Sequence, residues 1–349
     1  MPRNTDLFKL SKILLQFQGE TESPVSNAII LFRLLNGVVF VFVAIFTFVN
    51  FFYAYGDVHV KTAQSLITVI HGLLKFCFFI HFKTDIRKLL KEEFRTFWKD
   101  LDRELVRRTN ATRKLIAQMQ MPLLNRKNPF LLETWTSNNI VLDGILLACQ
   151  YYFFCVATIV VLGYDTVYLS LCVHVAVQLR ILRYNMEKFS LTYNREKRIG
   201  RYVECHQLLL STFGQMKRIY SAMLLFHYFV TLLTVCSDLY EVLLGRNIVS
   251  DIIIKFVSIC LLFAQFAFYT FPAAKVASEF SRLSNSIYMS KWYRNTINVQ
   301  KQLLFMMLKC NQQSYFSAAG FINVNIDTFG SVVRKSFSFY AILRNILNK

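Results

Sequence analysis

The sequence predicts an all-α membrane protein, a polytopic bundle of apolar helices. Three observations predict it. The 349-residue chain is 54% hydrophobic, with 34 Phe and only 5 Pro, whereas soluble domains run lower in apolar content. The excess is gathered into blocks of about 20 residues or more, the length that crosses a bilayer. Lys and Arg number 40 against 21 Asp and Glu, a net charge of +19, and they fall between the blocks. That is the pattern of cytosolic loops beside anionic lipid, and it argues against nucleic acid as the partner.

Residues 1–27 are largely polar and carry Arg3, Lys9 and Lys12, so they read as a cytosolic tail with no secretory leader. Residues 28–55 form the first span and 61–82 the second, joined by the short turn "YGDVHV", which lacks Lys and Arg. Residues 83–118 are strongly basic, and Ile86, Leu90, Phe94, Phe97, Leu101 and Leu105 recur at helical spacing. This predicts a cytosolic amphipathic helix, in which the sequon Asn110-Ala111-Thr112 would go unused. Residues 119–139 hold apolar runs of only a few residues and read as a loop.

Residues 140–182 form a long apolar block interrupted by Gly163-Tyr164-Asp165. It is either one span with a cytosolic extension or two short helices hinged at the interruption. Residues 183–215 are basic and predict a cytosolic helix; 216–244 and 248–272 are further spans, separated by a turn with only Arg246. Residues 275–315 are again basic and helical, and 316–349 are a last apolar segment that contains Asp327, Arg334 and Lys335.

The positive-inside rule places the N-terminus in the cytosol and the C-terminus outside. That orientation, with no Asp-Arg-Tyr or Asn-Pro-x-x-Tyr sequence, argues against a G-protein-coupled receptor. Cys77, Cys149, Cys155, Cys172, Cys205, Cys236, Cys260 and Cys310 form no CxxC pair and fall mostly in apolar blocks, so they predict buried thiols and no metal site. No catalytic constellation emerges: His71, Cys77 and Asp165 lack the spacing of a nucleophile and its base. With no Gly-rich phosphate loop either, no cofactor is implied. A transporter should show paired halves with broken helices, and the interruption near Gly163 has no counterpart in the second half.

On a helix at about 100° per residue, Asp327, Ser331, Arg334, Lys335, Ser338, Ile342, Asn345 and Ile346 share an arc of roughly 120°. Phe329, Val332, Val333, Tyr340 and Leu343 fall opposite. The stripe either lines an aqueous ion path, with Ile342 and Ile346 as a dewetting constriction, or its charges pair or snorkel within a bundle.

"AAGFINVNIDTFGSVVRKSFSFYAILRNIL" resembles the closing signature of insect odorant receptors. "SIYMSKWY", "YVECHQLLL" with His206, "TVCSDLY", and the segment 149–182 with Asp165 resemble further motifs of that family, in the same order. The Ser338-Phe339-Tyr340 ending, without Gln-Phe, favours the odorant over the gustatory branch. The resemblance implies a seven-span bundle acting as a ligand-gated, non-selective cation channel subunit in a heterotetramer with a shared co-receptor. It would lie in the plasma membrane of a sensory dendrite, detect small volatile apolar molecules and need no cofactor. Cytosolic helices would build a central anchor. The gate positions of the family fall on Ile342, Asn345 and Ile346, and its odorant pocket on His71, Phe76, Tyr151, Phe154, Phe256 and Ile259. Arg334 and Lys335 would disfavour cations in a narrow path, so they are expected in a wider inner vestibule or against a neighbouring subunit. Only six spans are visible. The third span of the family should lie between 115 and 139, which predicts a splice form, an incomplete gene model or a decayed copy that has lost it.

Overall fold

The computed structural model describes residues 57–91, 140–189, 195–244, 249–312 and 315–347, with residues 45, 48, 49 and 52 of an earlier helix. Most of the expected first span, and the whole segment 92–139 where a third would fall, lie outside the described residues. The helices are α1 (Asp57–Lys91), α2 (Ile140–Glu187), α3 (Arg195–Leu243), α4 (Val249–Met289), α5 (Ile297–Gln312) and α6 (Ile326–Leu347). Strands β1 (Phe316–Ala318) and β2 (Ile322–Val324) precede α6. Four of the described stretches are long and apolar enough to cross a membrane: Ala63–Phe82, Gly163–Glu187, Arg198–Leu243 and Ile252–Met289.

The helices outrun the spans read from the sequence. α2 is unbroken through Gly163-Tyr164-Asp165, so the hinged alternative for 140–182 is excluded. Gly163 and Tyr164 are buried in the bundle, and Thr166 Oγ1 donates to the Gly163 carbonyl at 2.9 Å. Packing replaces the interruption that the residue types suggested. α3 carries residues 195–215 of the expected cytosolic helix and nearly all of the span 216–244 on one helix of 49 residues, while 183–187 close α2. α4 passes through Pro272 for 41 residues. Proline removes one intrahelical donor, the one that would reach the Phe268 carbonyl, and the helix continues past it.

α2 and α4 pack along most of their lengths, and α3 bridges them to α1 and α6. Their shared core is aromatic. Tyr168 meets Tyr220 edge-on and Tyr269 at a tilt, with centroids 4.9 and 5.1 Å apart, and Phe213 meets Phe280 at 5.2 Å. Below it, Leu303, Met306 and Cys310 of α5 are buried. His206 Nε2 lies 3.2 Å from Cys310 Sγ, and burial pushes that thiol up to about 12.

The last segment is not helical from 316. β1 and β2 form an antiparallel hairpin with Phe316 opposite Val324 and Ala318 opposite Ile322. Its turn places Ala319 at φ 48° and Gly320 at φ 78°, a left-handed conformation that glycine adopts without strain. Ser221 Oγ donates to the Ser317 carbonyl at 2.8 Å and accepts from the Ala319 amide at 2.9 Å, tying the turn to α3. Asn325 caps α6, its Oδ1 accepting from the Thr328 amide at 2.8 Å.

Candidate functional site: the terminal helix and the polar layers behind it

α6 carries one buried face. Val332 and Ser336 are sealed against α3 and α4, where Tyr228, Phe266 and Phe329 form a small apolar cluster. Phe266 and Phe329 stack at 6.3 Å and 18°. The opposite face carries the stripe read from the sequence. Asp327, Arg334, Lys335, Ser338 and Asn345 are exposed on this chain, Ile342 is 58% exposed and Ile346 64%.

The charges on that face are individually placed. Among the described residues, neither Arg334 nor Lys335 pairs with Asp327, whose carboxylate accepts from Asn325 Nδ2 at 3.5 Å. The Arg334 guanidinium folds back over Gly330, where an added Cβ would meet Nη1 at 3.2 Å. Lys335 is exposed on this chain, and its Nζ donates to Tyr228 Oη on α3 at 2.9 Å.

Polar layers cross the bundle behind α6. In the first, Asp238 is fully buried. It accepts from Gln64 Nε2 at 2.7 Å, from Lys255 Nζ at 3.1 Å and from Ser258 Oγ at 3.0 Å. Lys255 also pairs with Glu241 at 2.8 Å. In the second, His71 Nε2 and His227 Nδ1 lie 3.2 Å apart. One turn further along α1, Lys75, 1% exposed, pairs with Asp165 at 2.8 Å. Asp165 also accepts from Tyr269 Oη and, at 3.3 Å, from Gln265 Nε2. One carboxylate thus joins α1, α2 and α4 inside apolar surroundings, where an unpaired charge is costly. Sequence reading missed Lys75 and Gln265. The available signal was a Lys in the middle of one apolar block and an Asp in the middle of another.

The six pocket positions are distributed over α1, α2 and α4. His71 is held by His227, Phe76 and Ile259 are half-buried, and Phe256 lies on the outer face of α4, 65% exposed. Tyr151 and Phe154 lie on α2, but their side chains are outside the described residues. At 1.5 Å per residue, Phe154 sits about 16 Å along α2 from Asp165. Among the described residues no group of His, Cys, Asp and Glu could hold a metal ion.

Residues 119–337 match the family described as 7tm Odorant receptor. Among curated relatives, odorant receptor 49a of Drosophila melanogaster is 24% identical over 149 residues, 42% of this chain and 37% of that protein. Odorant receptor 85c of the same fly is 24% identical over 152 residues, 43% of this chain and 39% of its own length. The chain therefore spans well under half the length of these relatives. In three dimensions it is similar to the insect olfactory receptor OR5 of Machilis hrabei. It is 13% identical to that structure with a TM-score of 0.85, and 12% identical with 0.84 to the same receptor in complex with eugenol. Each comparison covers 97% of both chains, so the bundle, with its long helices and its last helix, is a shared fold.

Proposed function

Because this chain belongs to the insect odorant receptor family, we propose that it is an odorant-gated, non-selective cation channel subunit that assembles with a shared co-receptor, and that α6 lines the conduction path. One observation carries the reading. The terminal helix buries Val332 and Ser336 against its own bundle and leaves Ile342, Asn345 and Ile346 outward. A helix with a polar stripe ending in two isoleucines suits the wall of an assembled pore, whose apolar ring closes by dewetting.

Small volatile molecules bind between α1, α2 and α4, near His71, Phe76, Tyr151, Phe154 and Ile259. Apolar and aromatic walls with few polar groups suit weakly polar ligands. Phe256 belongs to the same level of α4, but its outward position suits a contact with lipid or a neighbouring subunit better. The membrane is the plasma membrane of a sensory cell, with the N-terminus inside and the C-terminus outside.

The test is electrical. The chain is expressed alone, with a full co-receptor, and the co-receptor is expressed without it. A panel of volatile alcohols, esters, aldehydes and phenols is applied to each. Current is expected only in the pair, to at least one volatile that leaves the co-receptor alone silent. A pair indistinguishable from the co-receptor, with both chains at the surface, would overturn the proposal.

A further inference from the structure

Where α2 and α4 continue beyond the apolar part of the bundle, four cations surround one acid. Glu279 is fully buried. Its carboxylate lies 3.3 Å from Arg180, 3.2 Å from Arg183, 3.3 Å from Lys275 and 3.6 Å from Arg282. Glu187 is the only other acid paired here among the described residues, 3.5 Å from Arg183. Four positive groups face two negative ones, 4 − 2 = +2.

The donors exceed the acceptors as well. Three guanidiniums and an ammonium offer about 18 N–H bonds, and two carboxylates supply about eight lone-pair sites. Arg183 Nε is buried and makes no hydrogen bond, reaching only the Glu187 carboxylate as an ion pair at 3.5 Å. Glu279 holds the cations in place from beneath, while Lys275 and Arg282 stay 46% and 55% exposed. A buried acid that fixes a fan of bases pre-organises them for an outside anion.

Position indicates which anion. From Val249 to Pro272, α4 rises about 35 Å, enough for a hydrocarbon core of about 30 Å. Lys275 and Arg282 follow about 5–15 Å beyond Pro272, around headgroup depth. At about 100° per residue they share an arc of roughly 40° with Phe271, which is 50% exposed and touches Phe329 of α6 with centroids 5.5 Å apart. An exposed aromatic above two exposed bases matches an acyl chain above a phosphate.

We propose that this face of α4 (Phe271, Lys275 and Arg282), backed by Arg180 and Arg183 of α2, binds the headgroup of an anionic phospholipid carrying a phosphomonoester. The dianionic group matches the excess of two charges, and guanidiniums bind it through paired hydrogen bonds. Through Phe271 and Phe329 the bound lipid touches the terminal helix. With the orientation proposed above, on which this one point rests, the lipid lies in the cytosolic leaflet.

The experiment uses the full chain purified in detergent and follows its melting midpoint. Dioctanoyl phosphatidic acid, dioctanoyl phosphatidylcholine and glycerol 3-phosphate are titrated separately. Phosphatidic acid is expected to raise the midpoint saturably, and the other two to leave it unchanged. Lys275→Gln with Arg282→Gln is expected to raise the half-saturating concentration about tenfold, equivalent to about 1.4 kcal/mol. Lys301→Gln, an exposed cation on α5, is expected to change nothing. If the double variant does not fold, Arg282→Gln alone is expected to give about a threefold change. An equal shift with phosphatidylcholine, or an unchanged response in the charge variants, overturns the site. An equal shift with glycerol 3-phosphate overturns its assignment to lipid. Detergent binding is blind to sidedness and conduction, so failure here and failure of the channel reading are read apart.

Discussion

Lys335 on the terminal helix donates from Nζ to Tyr228 Oη at 2.9 Å, and its ammonium lies 5.6 Å from the centroid of the same ring. A base on a cation pathway is electrostatically unfavourable. Tyr228 draws this one sideways toward α3. Phe266, whose ring lies 6.2 Å from Tyr228 and 6.3 Å from Phe329, links the same spot to α4 and to the base of α6. A movement of α3 or α4 would therefore reach Lys335 directly.

Tyr228→Phe removes the hydrogen bond and keeps the ring. Such a bond contributes about 0.5–1.5 kcal/mol net, a roughly two- to tenfold bias on where the ammonium sits. Cation conductance of the assembled channel is expected to fall, further in Tyr228→Leu, and to recover when Lys335→Gln is added. The check is single-channel conductance in symmetric sodium. Unchanged conductance in all three variants would place Lys335 away from the ion path.

The pair Lys75–Asp165 is predicted to behave as a unit. Lys75→Met or Asp165→Leu leaves one charge buried without its partner, which costs on the order of 3–5 kcal/mol. Asp165→Leu also strands Tyr269 Oη and Gln265 Nε2, so it should be the worse of the two. The double substitution should recover much of the loss. Thermal unfolding in detergent checks this, and simple additivity of the two losses would contradict it.

Much of this architecture is legible in the sequence, because apolar block length and the placement of Lys and Arg are both under strong physical constraint in a bilayer. The stripe on α6 is legible because helical geometry alone sorts residues 327–346 into two faces. Other features depend on partners far away in the chain. The span reading of 248–272 stops at Pro272 and the hinged alternative for 140–182 at Gly163, whereas α4 and α2 run on through both. The hairpin before α6 is only three residues per strand, below what alternation can reveal. Lys335 bonds to a residue 107 positions away, and Lys75 to one 90 away. No local pattern identifies such partners.

Orientation follows from charge and is expected to hold in cells. An N-terminal epitope tag should stain only after permeabilisation, and a C-terminal tag on intact cells. Excess Lys and Arg at 183–215 and 275–315 set that direction. N-terminal staining of intact cells would reverse every assignment of inside and outside made above.

The central claim is that α6 faces an ion path at its outer end, and cysteine accessibility tests it most directly. Ile346→Cys, co-expressed with a full co-receptor, is exposed to a charged, membrane-impermeant thiol reagent from outside while volatile-evoked current is recorded. Leu343→Cys, half-buried on the opposite face, is the comparison. The reagent is expected to change the current irreversibly at 346, faster while the channel is open, and to leave 343 unaffected. Full surface expression with current indifferent to the reagent at 346, or equal effects at both positions, would contradict a pore lined by this helix.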